Sequence, residues 1–347
     1  MVKGISLFSN VGIDEYYLEE AGIKIVLANE LIKKRADFYS HLYNDSEMIT
    51  GDITKPEIFS KLVQKSREKK INFLLATPPC QGFSVAGKMD KNDKRNELIK
   101  YVVKFVKETM PDNILIENVP GFLKFKLKID DSYILIKNYI IDSFSKLGYF
   151  VNFKILDAAD YKTPQFRKRV IFLISKNKNW EFPKKNPWIT VRDAISDLPS
   201  LESGMSSKIK YHFAKNHNKR HIKWMQYTPT GCSAHNNEKY FPQKNDKTKI
   251  KGYATTYKRI DWDKPAPTIT MANGSVSSQN NVHPGKLTNK GLYSDARVLT
   301  ILELLRLTGL PDDWNIPEWA SDKLIREVLG ECFPPKFALE IVKNMPN

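Results

Sequence analysis

The sequence predicts an α/β fold with a doubly wound, parallel sheet, and two observations carry this prediction. Over residues 1–175, short apolar runs alternate with stretches whose apolar residues recur at helical spacing. After residue 175 the alternation stops, and an irregular segment precedes a return of helical spacing. We therefore predict a sheet domain that carries a smaller, irregular second domain.

Each predicted element is a short stretch of one periodicity. Apolar runs of strand length occupy residues 5–8, 23–28, 71–76, 114–116, 149–156 and 170–174. Helical spacing occupies residues 15–21, 98–107, 299–307 and 336–343. Strands that alternate with helices favour parallel pairing, because a crossover must bring the chain back before the next strand begins.

The composition excludes several classes of protein. The chain has 347 residues, of which 41% are hydrophobic, enough for a sizeable core and too many for a disordered chain. Its first residues lack a signal-peptide layout, and no apolar run approaches the ~20 residues that span a bilayer. We expect a cytoplasmic protein without a membrane partner.

The cysteines are few and scattered. The chain has three, Cys80, Cys232 and Cys332, with no Cys-x-x-Cys pair. An odd number at such distances argues against a disulfide framework and against a zinc site. We expect no bound metal.

The charge is concentrated in one segment. The chain has a formal net charge of +16, and residues 176–290 hold 21 Lys and Arg against 8 Asp and Glu. Such a surplus favours a polyanionic partner. The aromatic residues predict a core within this segment, the alternative being a disordered basic insert. These aromatic residues are Trp188, Trp224, Tyr253, Tyr257 and Trp262.

A cysteine stands at the end of one predicted strand. Cys80 follows the strand 71–76 after two prolines, and Gly82 comes two residues later. Ligands of open α/β sheets bind at the carboxyl ends of strands. A cysteine held there by a rigid turn is a candidate nucleophile, although a single cysteine can also be an inert buried residue.

A carboxylate stands at the end of another predicted strand. Glu117 follows the run 114–116, so a doubly wound sheet would bring it to the same edge as Cys80. There it could act as a general acid, the alternative being a solvated carboxylate.

Two arginines lie between the last two predicted strands. Arg167 and Arg169 alternate and are expected to point to one face. Guanidinium groups suit contacts with carboxylates, phosphates or base edges. The alternative is a solvated hairpin.

The loop after the first strand is a candidate nucleotide site. Residues 8–12 follow the strand and open a predicted helix, where a ligand can meet a helix N-terminus. The glycine pattern is a poor dinucleotide fingerprint. Glu30 follows the second strand about twenty residues later, where an acid commonly binds ribose hydroxyls, and Asp52 is a further acid on the same edge.

Taken in order, these residues resemble the motifs of the DNA (cytosine-5)-methyltransferase family, and the resemblance spans residues 4–343. The matching motifs include Phe8-Ser9-Asn10-Val11-Gly12, Pro78-Pro79-Cys80-Gln81, Glu117-Asn118-Val119 and Gln165-x-Arg167-x-Arg169. Further matches are Arg297-Val298-Leu299-Thr300 with Glu303, and Gly330-Glu331-Cys332-Phe333-Pro334-Pro335. The chain departs from the family at Asn10, where a glycine is usual, and at Glu331, where an asparagine is usual. Asn10 is compatible with the loop because asparagine tolerates positive φ.

The resemblance implies a Rossmann-like, S-adenosylmethionine-dependent methyltransferase. Residues 1–175 and 291–347 would form the catalytic domain, and residues 176–290 a small, irregular target recognition domain. The implied cofactor residues are Phe8, Asn10, Gly12, Glu30, Asp52, Ile53 and Pro78.

The resemblance also implies a mechanism. Cys80 would attack C6 of a cytosine flipped out of the duplex, Glu117 would bind or protonate N3, and Arg167 would bind O2 with support from Arg169. The methyl group would pass to C5. The expected DNA-contacting residues are Gln81, Ser84, Arg95, Arg259, Thr268 and Thr270.

The expected partner is double-stranded DNA, bound by a monomer. A restriction endonuclease would be a functional partner without physical contact. The alternatives are an RNA (tRNA) cytosine-5 methyltransferase, a non-catalytic DNA-binding protein on the same scaffold, and a nicotinamide-dependent oxidoreductase. The length of the segment 176–290 argues against the RNA enzyme, and the irregular glycines argue against the oxidoreductase.

Overall fold

The computed structural model describes residues 1–79 and 94–346, and this part of the chain divides into two compact units. The sheet unit comprises Met1–Asp157, Lys168–Lys185 and Pro335–Asn347. The second unit comprises Ala158–Arg167 and Asn186–Pro334. Three predicted site residues, Cys80, Gln81 and Ser84, lie outside the described residues.

The sheet unit contains a seven-stranded sheet and a separate two-stranded hairpin. In chain order the strands are β1 (Val2–Leu7), β2 (Ile23–Glu30), β3 (Glu47–Thr50), β4 (Phe73–Ala76), β5 (Asn113–Asn118), β6 (Lys126–Ile129), β7 (Ser132–Leu135), β8 (Phe150–Asp157) and β9 (Lys168–Ser175). The hairpin consists of β6 and β7.

The spatial order of the large sheet is β3-β2-β1-β4-β5-β9-β8. Strands β1 to β5 pair in parallel, which confirms the predicted α/β sheet. Strand β9 pairs antiparallel with both β5 and β8, so the sheet departs from parallel pairing at this strand. The reason is the short connection 158–167, because a parallel return needs a crossover of about a dozen residues or more.

Burial along nearly their whole length explains why the sequences of the central strands are unbroken apolar runs. All residues of β4 and β5 are buried, as are the last four of β1 and the last six of β9. Strands of a parallel sheet that are covered on both faces show this pattern.

Four helices connect the strands of the sheet unit, and a fifth closes it. They are α1 (Lys33–Leu42), α2 (Pro56–Lys69), α3 (Leu98–Thr109), α4 (Ile136–Ser145) and α9 (Pro335–Val342). The helix predicted at 15–21 is instead two short 3-10 turns, Ile13–Glu15 and Leu18–Ala21. Left-handed Gly12 and Gly22 limit these turns, because their backbone conformation cannot continue a right-handed helix.

The second unit has a buried core, as its aromatic content predicts. Trp224, Tyr257 and Trp262 are buried, whereas Trp188 and Tyr253 are 55% and 78% exposed. Its helices are α5 (Val191–Ile195), α6 (Lys219–Gln226), α7 (Ile301–Thr308) and α8 (Asp322–Glu331). Long irregular connections separate these helices, in accord with the weak periodicity of the sequence.

A buried ionic cluster lies in the second unit. Arg297 donates from Nη1 to Glu303 at 2.8 Å and from Nη2 to Asp295 at 3.0 Å. Glu303 also completes a capping box with Thr300 at the start of α7. Pairing of this kind is required where charges are buried, because an isolated charge in the interior costs several kcal/mol.

The boundaries of the two units differ from the predicted domain boundaries. Residues 291–334, assigned from the sequence to the catalytic domain, belong to the second compact unit. Residues 176–185, assigned to the recognition domain, belong to the sheet unit. In the described part of the chain, no helix is long and apolar enough to cross a membrane.

Gly330 is expected to be essential for the stability of the second unit. A Cβ on Gly330 would lie 2.4 Å from the backbone of Thr270 and from the Met271 nitrogen. Gly330→Ala should therefore lower the free energy of unfolding by about 1–3 kcal/mol or more, because overpacking forces the backbone to shift. Urea denaturation followed by circular dichroism measures this change.

Gly274→Ala is the matched control. A Cβ there would meet Lys215 Nζ at 3.3 Å and Arg326 Cδ at 3.5 Å, both on side chains. Its urea midpoint should stay close to that of the unmodified chain. Equal losses in the two variants would contradict the packing argument.

Candidate active site

The parallel strands β1 to β5 bring five chain segments to one edge of the sheet unit. Each strand ends there. Eight predicted site residues lie at or just after these ends, namely Phe8, Asn10, Gly12, Glu30, Asp52, Ile53, Pro78 and Glu117. Open α/β sheets bind ligands at this edge. The topology therefore collects residues that are far apart in sequence.

The loop after β1 is sharply bent. Phe8, Asn10 and Gly12 have φ values of 62°, 51° and 75°. The bend is held by main-chain hydrogen bonds from Ser9 N to Asn29 O at 3.0 Å and from Gly12 N to Ser9 O at 2.8 Å. The prediction that Asn10 accepts positive φ is thus confirmed.

Two carboxylates stand at the same edge. Glu30 ends β2, where Oε2 accepts from Asn10 N at 2.9 Å and Oε1 accepts from Ile32 N at 2.8 Å. Asp52 follows β3 and accepts from Thr54 N at 2.9 Å, while the neighbouring Ile53 is buried. Glu30 is therefore oriented by the bent loop itself, and each carboxylate has a fixed position.

The segment before Cys80 is fixed by the two strands beside it. Asn118 Nδ2 donates to Pro78 O at 2.9 Å, and Thr77 Oγ1 donates to Phe8 O at 3.2 Å. Asn118 is 2% exposed, so its hydrogen bond is protected from water. The segment that precedes Cys80 is thereby attached both to the loop 8–12 and to the strand that carries Glu117.

Glu117 and Arg169 form an ion pair. Strand β9 lies beside β5, and Arg169 Nε lies 2.5 Å from Glu117 Oε1. The side chains are 11% exposed for Arg169 and 10% for Glu117. Low exposure strengthens a charge-assisted hydrogen bond because water screens it less.

Arg167 has a different environment from the one expected. It belongs to the second unit, is 2% exposed, and donates to Ile269 O and Gly330 O, both at 2.9 Å. These bonds argue against the predicted contact of Arg167 with a base, because the guanidinium would first have to release two buried carbonyls. Residue 167 precedes β9, so the strand alternation assumed for the two arginines does not apply.

Arg259, which is predicted from the sequence to contact DNA, is held by main-chain carbonyls in the structure. It is fully buried, and its guanidinium donates to the carbonyls of Met225, His283 and Asp295. Burial lowers its pKa to about 10, so it remains charged at neutral pH. The sequence alone does not distinguish an arginine that hydrogen-bonds to buried main-chain carbonyls from an arginine that contacts DNA.

The other described candidates for DNA contact are more accessible. Arg95 and Thr268 are exposed, and Thr270 is half-buried. Thr268 Oγ1 donates to Phe166 O at 2.7 Å. Accessibility is compatible with the predicted role of these three residues.

A group of buried side chains beside the bent loop was not predicted from the sequence. Asp14 and Glu15 follow Gly12 and are each 5% exposed, and Tyr39 Oη donates to Glu15 Oε2 at 2.7 Å. Tyr43 Oη donates to Gly12 O at 2.5 Å. Two acids directly after the loop glycine were a usable signal, but no spacing rule connects the tyrosines of α1 with Gly12.

Comparison with protein families decides between the alternatives. The family model for C-5 cytosine-specific DNA methylase matches residues 2–347. The chain belongs to this family. It is a DNA cytosine-5 methyltransferase, and its cofactor is S-adenosylmethionine.

The relatives include several type II methyltransferases. Type II methyltransferase M1.HgaI of Avibacterium volantium is 49% identical, with 100% of this chain and 98% of the relative covered. M.MthTI of Methanothermobacter thermautotrophicus is 34% identical, with 98% and 96% covered. M1.HphI of Haemophilus parahaemolyticus is 29% identical, with 98% and 85% covered.

Solved structures support the fold. A prophage-encoded DNA modification methyltransferase of E. coli superposes with a TM-score of 0.71 at 20% identity, with 99% of this chain and 98% of that chain covered. A Spodoptera frugiperda DNMT2 variant gives a TM-score of 0.64 at 19% identity, with 99% of each chain covered.

The residues at the sheet edge fit the cofactor. S-adenosylmethionine carries ribose hydroxyls and an adenine amino group, which are hydrogen-bond donors that carboxylates accept. Glu30 and Asp52 provide two such carboxylates at neighbouring strand ends, and the bent loop 8–12 provides main-chain groups between β1 and its first turn. The donors and acceptors are thus complementary.

The buried acids predict a pH dependence of stability. Burial raises the pKa of Glu15 from 4.5 to about 7, and burial together with the charge of Glu15 raises the pKa of Asp14. The folded chain then binds protons more tightly than the unfolded chain, so stability falls as pH rises from about 4.5 through 7. Glu15→Gln should make the free energy of unfolding less dependent on pH between 5 and 8.

Chemical denaturation at several pH values checks this expectation. Glu20→Gln is the control, because Glu20 is exposed and belongs to the next turn of the same connection. It should leave the pH profile unchanged. A Glu15→Gln profile that parallels that of the unmodified chain would refute the burial argument.

Proposed function

We propose that the protein methylates one cytosine within a short duplex sequence and uses Cys80 as the nucleophile. The observation that carries this proposal is the ion pair of Arg169 with the buried Glu117, together with the hydrogen bond that holds Pro78 just before Cys80. A strand-end cysteine, a carboxylate and a guanidinium are the groups that addition to a pyrimidine ring requires.

The chemical problem is that C5 of cytosine is a poor nucleophile. The Cys80 thiol gives up its proton, and the thiolate forms a bond to C6, which breaks the C5–C6 double bond and makes C5 enamine-like. S-adenosylmethionine, when bound, would supply the electrophilic methyl group of its sulfonium. C5 would form a bond to this methyl carbon as the methyl–sulfur bond breaks, which leaves S-adenosylhomocysteine. Loss of the C5 proton to water would then restore the double bond and expel the Cys80 thiolate.

Glu117 assists the addition at the opposite side of the ring. Its carboxyl would hydrogen-bond or protonate N3, which withdraws electrons from the ring as the thiolate attacks. Arg169 holds this carboxyl in place, and we propose Arg169 rather than Arg167 as the arginine nearest the base. Arg167 would instead act within the second unit through the two carbonyls that it binds.

The target base must leave the duplex, because C6 is inaccessible within the stack, and this costs a few kcal/mol. We propose that Gln81, Ser84 and Arg95, on the segment after Cys80, contact the DNA around the flipped base. The exposed Arg95 fits a phosphate contact.

The cofactor would lie against the loop 8–12 and the adjoining strand ends. Glu30 would accept from the ribose, and Asp52 and Ile53 would contact the adenine. Phe8, Gly12 and Pro78 would line the remainder. The left-handed backbone at Phe8, Asn10 and Gly12 supports this assignment, because it turns the chain sharply at the end of β1.

Residues 176–290 are proposed to recognise the target sequence. Their net charge of +13 favours contact with phosphates, and Thr268 and Thr270 lie near the end of this segment. We further propose that the enzyme acts as a monomer in the bacterial cytoplasm, where it protects DNA from a restriction endonuclease that it does not contact. The type II methyltransferase relatives support this pairing.

We propose that one basic element of this segment contacts DNA. The lysine hairpin, residues 242–250, is closed by hydrogen bonds from Lys244 N to Thr248 O and from Ile250 N to Pro242 O, both at 2.9 Å. Arg220 stabilises the turn of this hairpin by donating a hydrogen bond to Asn245 Oδ1 at 2.6 Å. Lysines at positions 244, 247 and 249 are exposed, so this hairpin presents three positive charges.

Methyl transfer tests the proposed nucleophile. Purified protein, labelled S-adenosylmethionine and unmethylated duplex DNA should give label in DNA, whereas Cys80→Ala should transfer none and still bind DNA. Cys232→Ala is the control, because this cysteine is free and exposed. Transfer by Cys80→Ala would refute the mechanism, and label in tRNA but not in DNA would refute the assignment of the substrate.

Salt dependence tests the lysine hairpin. Replacing Lys244, Lys247 and Lys249 with Gln should weaken DNA binding and reduce the slope of log Kd against log salt by roughly 0.9 for each phosphate that the variant no longer neutralises. Binding is measured by fluorescence anisotropy between low and moderate salt.

The control replaces Lys61, Lys70 and Lys107, which are exposed lysines of the sheet unit. This variant has the same net charge as the hairpin variant and should retain the original slope. Equal slopes in the two variants would show that only overall charge matters.

A further inference from the structure

We infer that Tyr39 and Tyr43 are positioning residues for the cofactor. They hold the loop 8–12 in its bent conformation and thereby set the affinity of the protein for S-adenosylmethionine. The inference rests on the proposed placement of the cofactor at this loop. Four contacts within the sheet unit support it.

The first contact fixes the peptide that follows Gly12. Tyr43 Oη donates to Gly12 O at 2.5 Å, and the same carbonyl accepts from Glu15 N at 3.3 Å. Gly12 has φ 75° and ψ 28°, the left-handed conformation that favours glycine, and it directly precedes the 3-10 turn Ile13–Glu15. The two donors hold its carbonyl in one orientation and so fix the end of the bend.

The second contact is steric. A Cβ on Gly12 would lie 2.5 Å from Tyr43 Cε2 and 2.8 Å from Tyr39 Cε2. The two rings also pack on each other, with centroids 4.8 Å apart. The two rings pack directly against the Gly12 backbone. They leave space only for glycine at this position, and they prevent the loop from moving toward α1.

The third contact anchors the turn that follows the loop. Tyr39 is fully buried, its Oη donates to Glu15 Oε2 at 2.7 Å, and Ser46 Oγ lies 3.0 Å from the same hydroxyl. Burial raises the pKa of both Tyr39 and Tyr43, so both hydroxyls remain donors at neutral pH.

The fourth contact links the loop 8–12 to Glu30, the carboxylate that is proposed to bind ribose. Helix α1 follows β2 closely, and Glu30 at the end of β2 accepts from Asn10 N at 2.9 Å. The loop is thus held at Asn10 by Glu30 and at Gly12 by Tyr43. The unit formed by β2 and α1 therefore fixes both the loop 8–12 and Glu30. The two proposed cofactor contacts thus keep a constant position relative to each other.

Tyr43→Phe is the direct test, because it keeps the ring and removes the hydroxyl. Calorimetric titration with S-adenosylhomocysteine, without DNA, should show a dissociation constant raised about three- to tenfold, the effect of one hydrogen bond. The KM for S-adenosylmethionine should rise in parallel, while kcat at saturating cofactor and the Kd for DNA change less than twofold. Tyr39→Phe should show a smaller rise, because it acts through Glu15.

Tyr133→Phe is the matched control, since Tyr133 lies in β7 and is 67% exposed. It should bind S-adenosylhomocysteine as the unmodified chain does. Unchanged affinity in Tyr43→Phe would overturn the inference, and so would a lower Tm with unchanged affinity, which would assign a purely structural role. If the unmodified chain itself failed to bind, the proposed cofactor placement would fall together with the inference.

Discussion

Parallel pairing of β1 to β5 is the constraint on which the rest of the site depends. It brings five strand ends to one edge, and each end contributes a different part of the candidate site. These parts are the bent loop after β1, Glu30 at the end of β2, Asp52 after β3, the segment that leads to Cys80 after β4, and Glu117 in β5. Side-chain bonds then connect neighbours across this edge. Asn118 holds Pro78, and Glu30 holds Asn10. The loop 8–12 and the segment that precedes Cys80 are therefore both held by neighbouring strands of the same sheet.

Strand β9 contributes differently, because it runs antiparallel to β5. Its first residues lie at the same edge, where the other strands end, and this places Arg169 beside Glu117. A strand in the parallel sense would have delivered its last residues there instead. The reversal thus explains how a short connection after β8 supplies a cation to the carboxylate that is proposed to bind the target base.

Much of this arrangement could be predicted, because it follows from local patterns. Apolar runs located the central strands. Glu117 directly follows one of these runs, and Cys80 follows another after Thr77, Pro78 and Pro79. Asn10 was compatible with positive φ for a reason intrinsic to its side chain. The environments of Arg167 and Arg259 could not be predicted, because they depend on carbonyls up to about 160 residues away. The contacts of Tyr39 and Tyr43 with Gly12 could not be predicted either, because they link two different strand–helix units.

The central claim is that this edge of the sheet methylates cytosine in duplex DNA of one short sequence. Bisulfite sequencing of unmethylated genomic DNA, after incubation with the purified protein and S-adenosylmethionine, tests it most directly. The account predicts protected cytosines confined to one position of one short motif, which would also reveal the recognition sequence. Complete conversion of every cytosine in the treated DNA, with DNA binding intact, would contradict it.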